Sequence, residues 1–111
     1  MSEKVDRDLI SDILDRIERI ESVTRGVDLA AFERDWKLQD IVMRNLEVMG
    51  EAAGRVSDRT QRRHPEVPWR PMRAARNVLI HQYGKVDLRA VWNAVELLPS
   101  IKKALRVVKL G

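Results

Sequence analysis

The stretch KVDRDLISDILDRIERIESV, residues 4–23, decides the fold class of this chain, because its apolar side chains recur at the spacing of an α-helix. The apolar residues form one stripe: Val5, Leu9, Ile13, Ile17 and Ile20, with Ile10 and Leu14 beside it. The pattern predicts an amphipathic first helix from about Lys4 to Val23. Gly26 is expected to end it, since glycine readily adopts the left-handed conformation that closes a helix.

Helical spacing continues along the rest of the chain. Asp28 is expected to cap a short helical turn from Leu29 to Glu33. A second long helix is predicted from about Asp35 to Val56. The polar, basic segment from Ser57 to Pro68 is predicted to be a loop that has room for a turn of helix.

Two further long helices are expected after this loop. Pro71 suits the first turn of a third helix, about Trp69 to Tyr83, and Gly84 should end it. Asp87 is expected to cap a fourth helix, which Pro99 should kink or interrupt. The sequence therefore predicts one all-α domain over residues 1–111, an antiparallel bundle of about four main helices.

The second long helix contains a cluster of small residues, and the chain has three tryptophans. The small residues are Gly50, Ala52, Ala53 and Gly54, and they would let a neighbouring helix approach closely. The tryptophans, Trp36, Trp69 and Trp92, are too scattered for a base-stacking platform, so they are expected to anchor the core or an interface.

Composition excludes several classes of protein. The 111 residues are 44% hydrophobic and 34% charged, which is enough apolar material for a core. The absence of cysteine excludes disulfide scaffolds and thiolate catalysis. The charged N-terminal residues lack the apolar stretch of a signal peptide, so a cytoplasmic location is expected. The net charge of +4 is compatible with nucleic-acid binding, and arginine is concentrated between Arg44 and Arg89.

The third predicted helix carries an unusual set of polar side chains. Arg73, Asn77 and His81 recur every four residues and form one row; Arg76, Ile80 and Tyr83 form the neighbouring row. An imidazole can take and give a proton near neutral pH, and a guanidinium can hold a phosphate. This set suits RNA cleavage through the 2′-hydroxyl without a metal ion or cofactor. A solvated helix surface would show the same spacing.

The segment RNVLIHQY, residues 76–83, resembles the R-x4-H-x-Y motif of the HepT-like toxins of the HEPN superfamily. The segments 44–53, 65–69 and 86–92 also resemble the family's sequences, in the same order along the chain. The resemblance implies a HEPN helical bundle, paired as a homodimer around a shared basic cleft. It also implies a metal-independent ribonuclease that acts as the toxin of a toxin–antitoxin (HEPN/MNT, type VII) pair.

The resemblance further implies individual roles for residues of the motif. Arg76 and His81 would be catalytic, and Asn77 would assist them. Tyr83 would be the tyrosine to which a cognate minimal nucleotidyltransferase (MNT) antitoxin transfers AMP. The partners implied are therefore a second copy of the chain, this antitoxin and an RNA substrate, with tRNA as one candidate; no membrane partner is implied.

The other charged residues allow more than one interpretation of their role. Arg59, Arg62 and Arg63 form a basic cluster, predicted to be mobile, which either aids solubility or clamps the RNA backbone together with Arg73. The acids on the first helix and His64 are interpreted as surface or structural residues rather than metal ligands. Two rivals to the nuclease remain: a catalytically silent HEPN module that binds a nucleotide or a partner, and a basic helical DNA-binding protein.

Overall fold

A computed structural model describes residues 3–76 and 86–108 of the chain. They contain six helices: α1 (Glu3–Thr24), α2 (Leu29–Glu33), α3 (Trp36–Arg55), α4 (Asp58–Arg63), α5 (Trp69–Ala74) and α6 (Leu88–Arg106). The long helices α1, α3 and α6 form the body of the bundle, α2 packs against α3 and α6, and α5 packs against α3. The all-α prediction is confirmed.

Side-chain contacts show that α1 runs antiparallel to α3. Arg16, in the middle of α1, donates a hydrogen bond to Asn45 Oδ1 in the middle of α3 at 3.2 Å. Asp6, near the start of α1, accepts a hydrogen bond from the backbone N–H of Ser57, just after the end of α3, at 3.0 Å. Positions early in α1 therefore face positions late in α3.

Helix α6 is also antiparallel to α1. Lys102 forms an ion pair with Glu21, and Arg106 pairs with Glu18 at 3.3 Å. The partner on α1 thus moves towards its N-terminus as the chain advances along α6. The Lys102–Glu21 pair is half-buried, whereas the Arg106–Glu18 pair is mostly exposed and stabilises the bundle less.

The helix ends follow the predicted capping chemistry. Asp28 accepts a hydrogen bond from the backbone of Ala31 at 2.8 Å, and Asp35 caps α3 in the same way. Asp87 caps α6. Gly26 adopts a φ of 76° just after α1, a conformation that glycine tolerates without steric cost. The sequence predictions for Asp28, Gly26 and Asp87 are confirmed, and the cap at Asp35 is a further finding.

The core lies between the long helices and is sealed at one end by α2. Phe32 of α2 is fully buried and stacks against Trp92 of α6 with ring centroids 5.0 Å apart. The predicted stripe of α1 is buried from Leu9 onwards, but Val5 is exposed. Val5 is in the first turn, where Asp6 occupies the inward position instead.

Residues 58–63 of the predicted loop after α3 form the short helix α4, so the turn of helix for which the sequence left room is present. Ser57 caps this helix by accepting a hydrogen bond from the backbone of Thr60 at 3.3 Å. The buried carboxylate of Asp6 accepts hydrogen bonds from Ser57 Oγ at 2.6 Å and Thr60 Oγ1 at 2.5 Å, which fixes α4 against α1. Burial by itself would raise the pKa of Asp6, but these hydrogen bonds outweigh it, and the pKa lies below its ordinary value.

Helix α6 is continuous through Pro99, so the alternative of an interruption is wrong; a kink stays a prediction. Proline removes one backbone donor from the helix, and its ring is tolerated here because it lies on the exposed side of α6. The buried residues on either side, Leu98 and Ile101, hold both halves of the helix against the core.

The described part of the third predicted helix begins as expected. Helix α5 spans Trp69–Ala74, and Ala75 and Arg76 continue it as a turn. Met72 and Ala75 are buried, as the pattern predicts for the inward face. The remainder of that predicted helix, residues 77–83, lies outside the described residues.

Candidate active site

An open groove of about 420 Å³ lies between α3 and the turn that follows α5. Its lining consists of Gly50, Glu51, Gly54, Arg55, Arg73 and Arg76. The α3 side supplies one arginine and the α5 side two, so the groove faces solvent with three guanidinium groups and one carboxylate. Gly50 and Gly54 of the small-residue cluster therefore lie beside Arg73 and Arg76, the first residues of the two predicted polar rows.

The two walls approach most closely at Gly50. A β-carbon placed on Gly50 would lie 3.0 Å from the carbonyl oxygen of Met72, and 3.1 and 3.2 Å from Cβ and N of Arg76. A β-carbon on Gly54 would meet only the side chain of Arg73, at 3.8 Å. The prediction that the small residues admit a neighbouring helix is confirmed, and the neighbour is α5.

The arginines of the groove keep their charge available for a ligand. Arg55, Arg73 and Arg76 are exposed, and none of them pairs with a carboxylate among residues 3–76 and 86–108. A guanidinium matches the geometry of a phosphate and donates two parallel hydrogen bonds to it. The groove can therefore hold a phosphodiester from two sides.

Arg55 was not among the residues that the sequence singled out for this site. Its sequence signal is the spacing on α3, where Glu51 and Arg55 follow Gly50 and Gly54 by one position each. Residues four apart share a face of a helix, so Glu51 and Arg55 both lie beside Gly50 and Gly54, the glycine track on which α5 packs. Sequence alone does not reveal which helix occupies that track.

The structure brings together only part of the predicted set. Arg73 and Arg76 share the groove, whereas the basic cluster Arg59, Arg62 and Arg63 is exposed on α4 and does not line it. The remaining three predicted site residues, Asn77, His81 and Tyr83, lie outside the described residues.

Within the described ranges, no group of three or more histidine or carboxylate side chains is arranged to hold a metal ion. His64, in the turn after α4, is half-buried, and its Nδ1 lies 3.2 Å from Glu66 Oε2. The Glu66 backbone N–H and this histidine lower the pKa of the Glu66 carboxyl. The backbone carbonyl of His64 accepts a hydrogen bond from Trp69 Nε1 at 2.9 Å, which ties the turn after α4 to the start of α5.

Comparison with known proteins gives this groove a family context. A family model described as Ribonuclease HepT-like matches residues 13–108, which contain both walls of the groove. The chain belongs to the HepT-like ribonuclease family. The HepT-like resemblance of the sequence is thereby confirmed, and membership supports a ribonuclease function.

Three relatives of this HepT-like chain match it over most of their length. A Thermococcus cleftensis protein described as a probable ribonuclease HepT is 43% identical over 97 residues, which cover 86% of this chain and 88% of the relative. A Methanocaldococcus jannaschii protein described as a candidate RNase is 32% identical over 109 residues, 97% of this chain and 100% of the relative. One from Caldanaerobacter subterraneus, described in the same way, is 27% identical over 106 residues, 95% of each chain.

No solved structure gives a significant match to this HepT-like chain. Among the helices of the described residues, none combines the length and the apolar character that crossing a bilayer requires.

Proposed function

We propose that this chain is the toxin of a toxin–antitoxin pair and that it cuts RNA internally without a metal ion. The observation that carries the proposal is the position of Arg76. It is the first residue of the R-x4-H-x-Y sequence, and it is exposed in a groove with two other arginines, neither of which pairs with a carboxylate of the described residues. Membership in a ribonuclease family makes the RNA phosphodiester the matching ligand.

The reaction needs a proton acceptor, a proton donor and a cation at the phosphorus. His81 takes the proton of the 2′-hydroxyl as that oxygen attacks phosphorus, and the 5′-oxygen leaves as the bond to phosphorus breaks. Arg76 stabilises the extra negative charge of the transition state, and Asn77 assists by hydrogen bonding. The products are a 2′,3′-cyclic phosphate and a 5′-hydroxyl end.

A homodimer supplies the proton for the leaving oxygen. One imidazole does not readily serve both sides of one phosphorus, but two copies of His81 across a two-fold axis provide a base and an acid. Each copy also brings its own arginine groove, so the RNA backbone meets cations on both sides of the scissile bond. Arg73 contacts the backbone within the groove, and Arg59, Arg62 and Arg63 contact it farther along, from α4.

Regulation is proposed to act at Tyr83. A cognate minimal nucleotidyltransferase transfers AMP from ATP to the tyrosine oxygen, releasing pyrophosphate. The attached nucleotide adds bulk and negative charge two residues from His81, and so repels the RNA from the cleft. Co-expression with this enzyme should add AMP to the intact mass of the wild type and not to that of Tyr83→Phe. An unchanged wild-type mass would contradict the regulatory step.

The experiment that tests the nuclease is cleavage of RNA by the purified protein in EDTA, with His81→Ala alongside. The wild type should generate 2′,3′-cyclic phosphate ends, and the variant should not. Equal activity of the two proteins would show that cleavage does not depend on His81 and therefore not on this motif. Binding of a nucleotide or partner with no turnover would instead identify a silent HEPN module, and duplex DNA affinity that survives Arg76→Ala would identify a DNA-binding protein.

A further inference from the structure

We propose that Gly50 is a positioning residue for the reaction, because the turn that carries Arg76 rests directly on it; this inference rests on the proposed function. Gly50 is buried in α3, and the space where its β-carbon would stand is bounded by Met72 and Arg76. The three nearest atoms lie at 3.0–3.2 Å from that point, closer than ordinary van der Waals contact.

The atoms that bound this space cannot move independently of the turn. They are the carbonyl oxygen of Met72 and the N and Cβ of Arg76, rather than the ends of flexible side chains. Met72 is fully buried, so its side chain holds α5 in the core. An added methyl group on α3 therefore requires these atoms of Met72 and Arg76, and with them the turn, to shift by a few tenths of an ångström.

Such a shift acts on catalysis through the guanidinium group. Misplacement of a reacting or stabilising group by about 1 Å can cost on the order of 100-fold in rate. For the smaller displacement caused by Gly50→Ala we expect kcat to fall about tenfold. KM should change little, because the three arginines still line the groove and bind the ground state.

Gly54→Ala provides the matched comparison. It adds the same methyl group to the same helix, one turn farther along, and also narrows the groove. There the β-carbon meets only the flexible side chain of Arg73, at 3.8 Å. The loss of kcat should therefore be several-fold smaller than in Gly50→Ala. Equal losses would mean that filling the groove, rather than moving Arg76, reduces the rate, and would overturn the proposal.

A double variant tests whether Gly50 acts through Arg76. In the Arg76→Ala background, Gly50→Ala should lower kcat no further, because the group that it positions is already gone. A further tenfold loss would show that Gly50 acts on the fold or on another group, and would overturn the proposal. Alanine favours the helix more than glycine, so Gly50→Ala should stay folded. An unfolded Gly50→Ala variant would show that a local shift of the turn cannot accommodate the methyl group, and would also overturn the proposal.

A readout without RNA separates this inference from the proposed function. The backbone amide resonance of Arg76 should shift more in Gly50→Ala than in Gly54→Ala. If that holds while the wild type cleaves no RNA, the contact stands and the nuclease proposal fails. If the wild type cleaves RNA but the resonance and kcat of Gly50→Ala match the wild type, the nuclease stands and the positioning role fails.

Discussion

Thr60 donates a hydrogen bond to the buried carboxylate of Asp6 at 2.5 Å, across 54 residues of sequence. With two more hydrogen bonds from Ser57, this contact ties the first turn of α1 to the start of α4. Asp6 is only 1% exposed, so water cannot replace these partners. The carboxylate therefore links the N-terminal helix to the segment that joins α3 and α4.

Asp6→Asn should lower the free energy of unfolding by about 1–3 kcal/mol at neutral pH, since it removes charge-assisted hydrogen bonds from a buried site. The folded pKa of Asp6 lies below its value of 3.8 in the unfolded chain. The stabilisation is therefore complete above that value and is lost as the pH falls through the folded pKa. Denaturant unfolding should show the gap between wild type and variant closing below about pH 4. Asp8→Asn, at an exposed position of α1, is the control, and an equal effect there would contradict this role of Asp6.

Trp92 and Trp36 provide a matched pair for the energetics of the core. Trp92 is 8% exposed and stacks on Phe32, whereas Trp36 is 65% exposed and contacts Lys37 through its ring. Trp92→Ala should cost about 3–5 kcal/mol of unfolding free energy, and Trp36→Ala less than about 1 kcal/mol. Chemical denaturation of both variants checks this. A large loss of unfolding free energy in Trp36→Ala, measured on the protein with no binding partner present, would contradict the exposed position of that ring.

Pro99→Ala should stabilise the protein by about 1–2 kcal/mol, because α6 runs through this position and proline is the poorest residue inside a helix. The exposed side of α6 leaves room for alanine there. Thermal unfolding should show a raised midpoint for this variant, while Glu96→Ala, also exposed on α6, should stay within about 0.5 kcal/mol of the wild type. Destabilisation by Pro99→Ala would mean that the proline ring serves a contact that alanine cannot make.

The arginines of α4 should affect RNA binding rather than the chemical step. They are exposed but do not line the groove that contains Arg76. Arg59→Ala combined with Arg62→Ala should raise KM several-fold with little change in kcat. The slope of log affinity against log salt concentration should fall by an amount that corresponds to up to about two phosphate contacts. Steady-state kinetics at several salt concentrations measure both effects. A fall in kcat at unchanged KM would place these residues at the reaction instead.

Local patterns in the sequence predict most of the fold. The 3.6-residue spacing and the capping aspartates Asp28, Asp35 and Asp87 are local signals, and the helices begin where those residues predict. Helix α4 has no apolar stripe and depends on Asp6, whose partners are more than 50 residues away. A buried carboxylate of this kind leaves no periodic pattern in the sequence, so the sequence predicts only a loop with room for a turn of helix and gives no bounds for α4.

The candidate site shows the same division between local and long-range information. Arg73 and Arg76 follow from the spacing of one helix, and the approach of another helix follows from the small side chains near Gly50. Arg55 reaches the same groove only because α5 packs on that track of α3, which is a long-range contact. Tertiary packing thus adds a cation that helical periodicity alone cannot assign.

The most direct measurement of the central claim is the single-turnover rate of RNA cleavage in EDTA for Arg76→Ala and Arg70→Ala. Both arginines are exposed in the segment 69–76, but Arg70 does not line the groove. Loss of a cation that stabilises the transition state should slow Arg76→Ala by about 100- to 1000-fold, while Arg70→Ala should stay within about twofold of the wild type. Equal rates for the two variants would contradict the assignment of this groove as the ribonuclease active site.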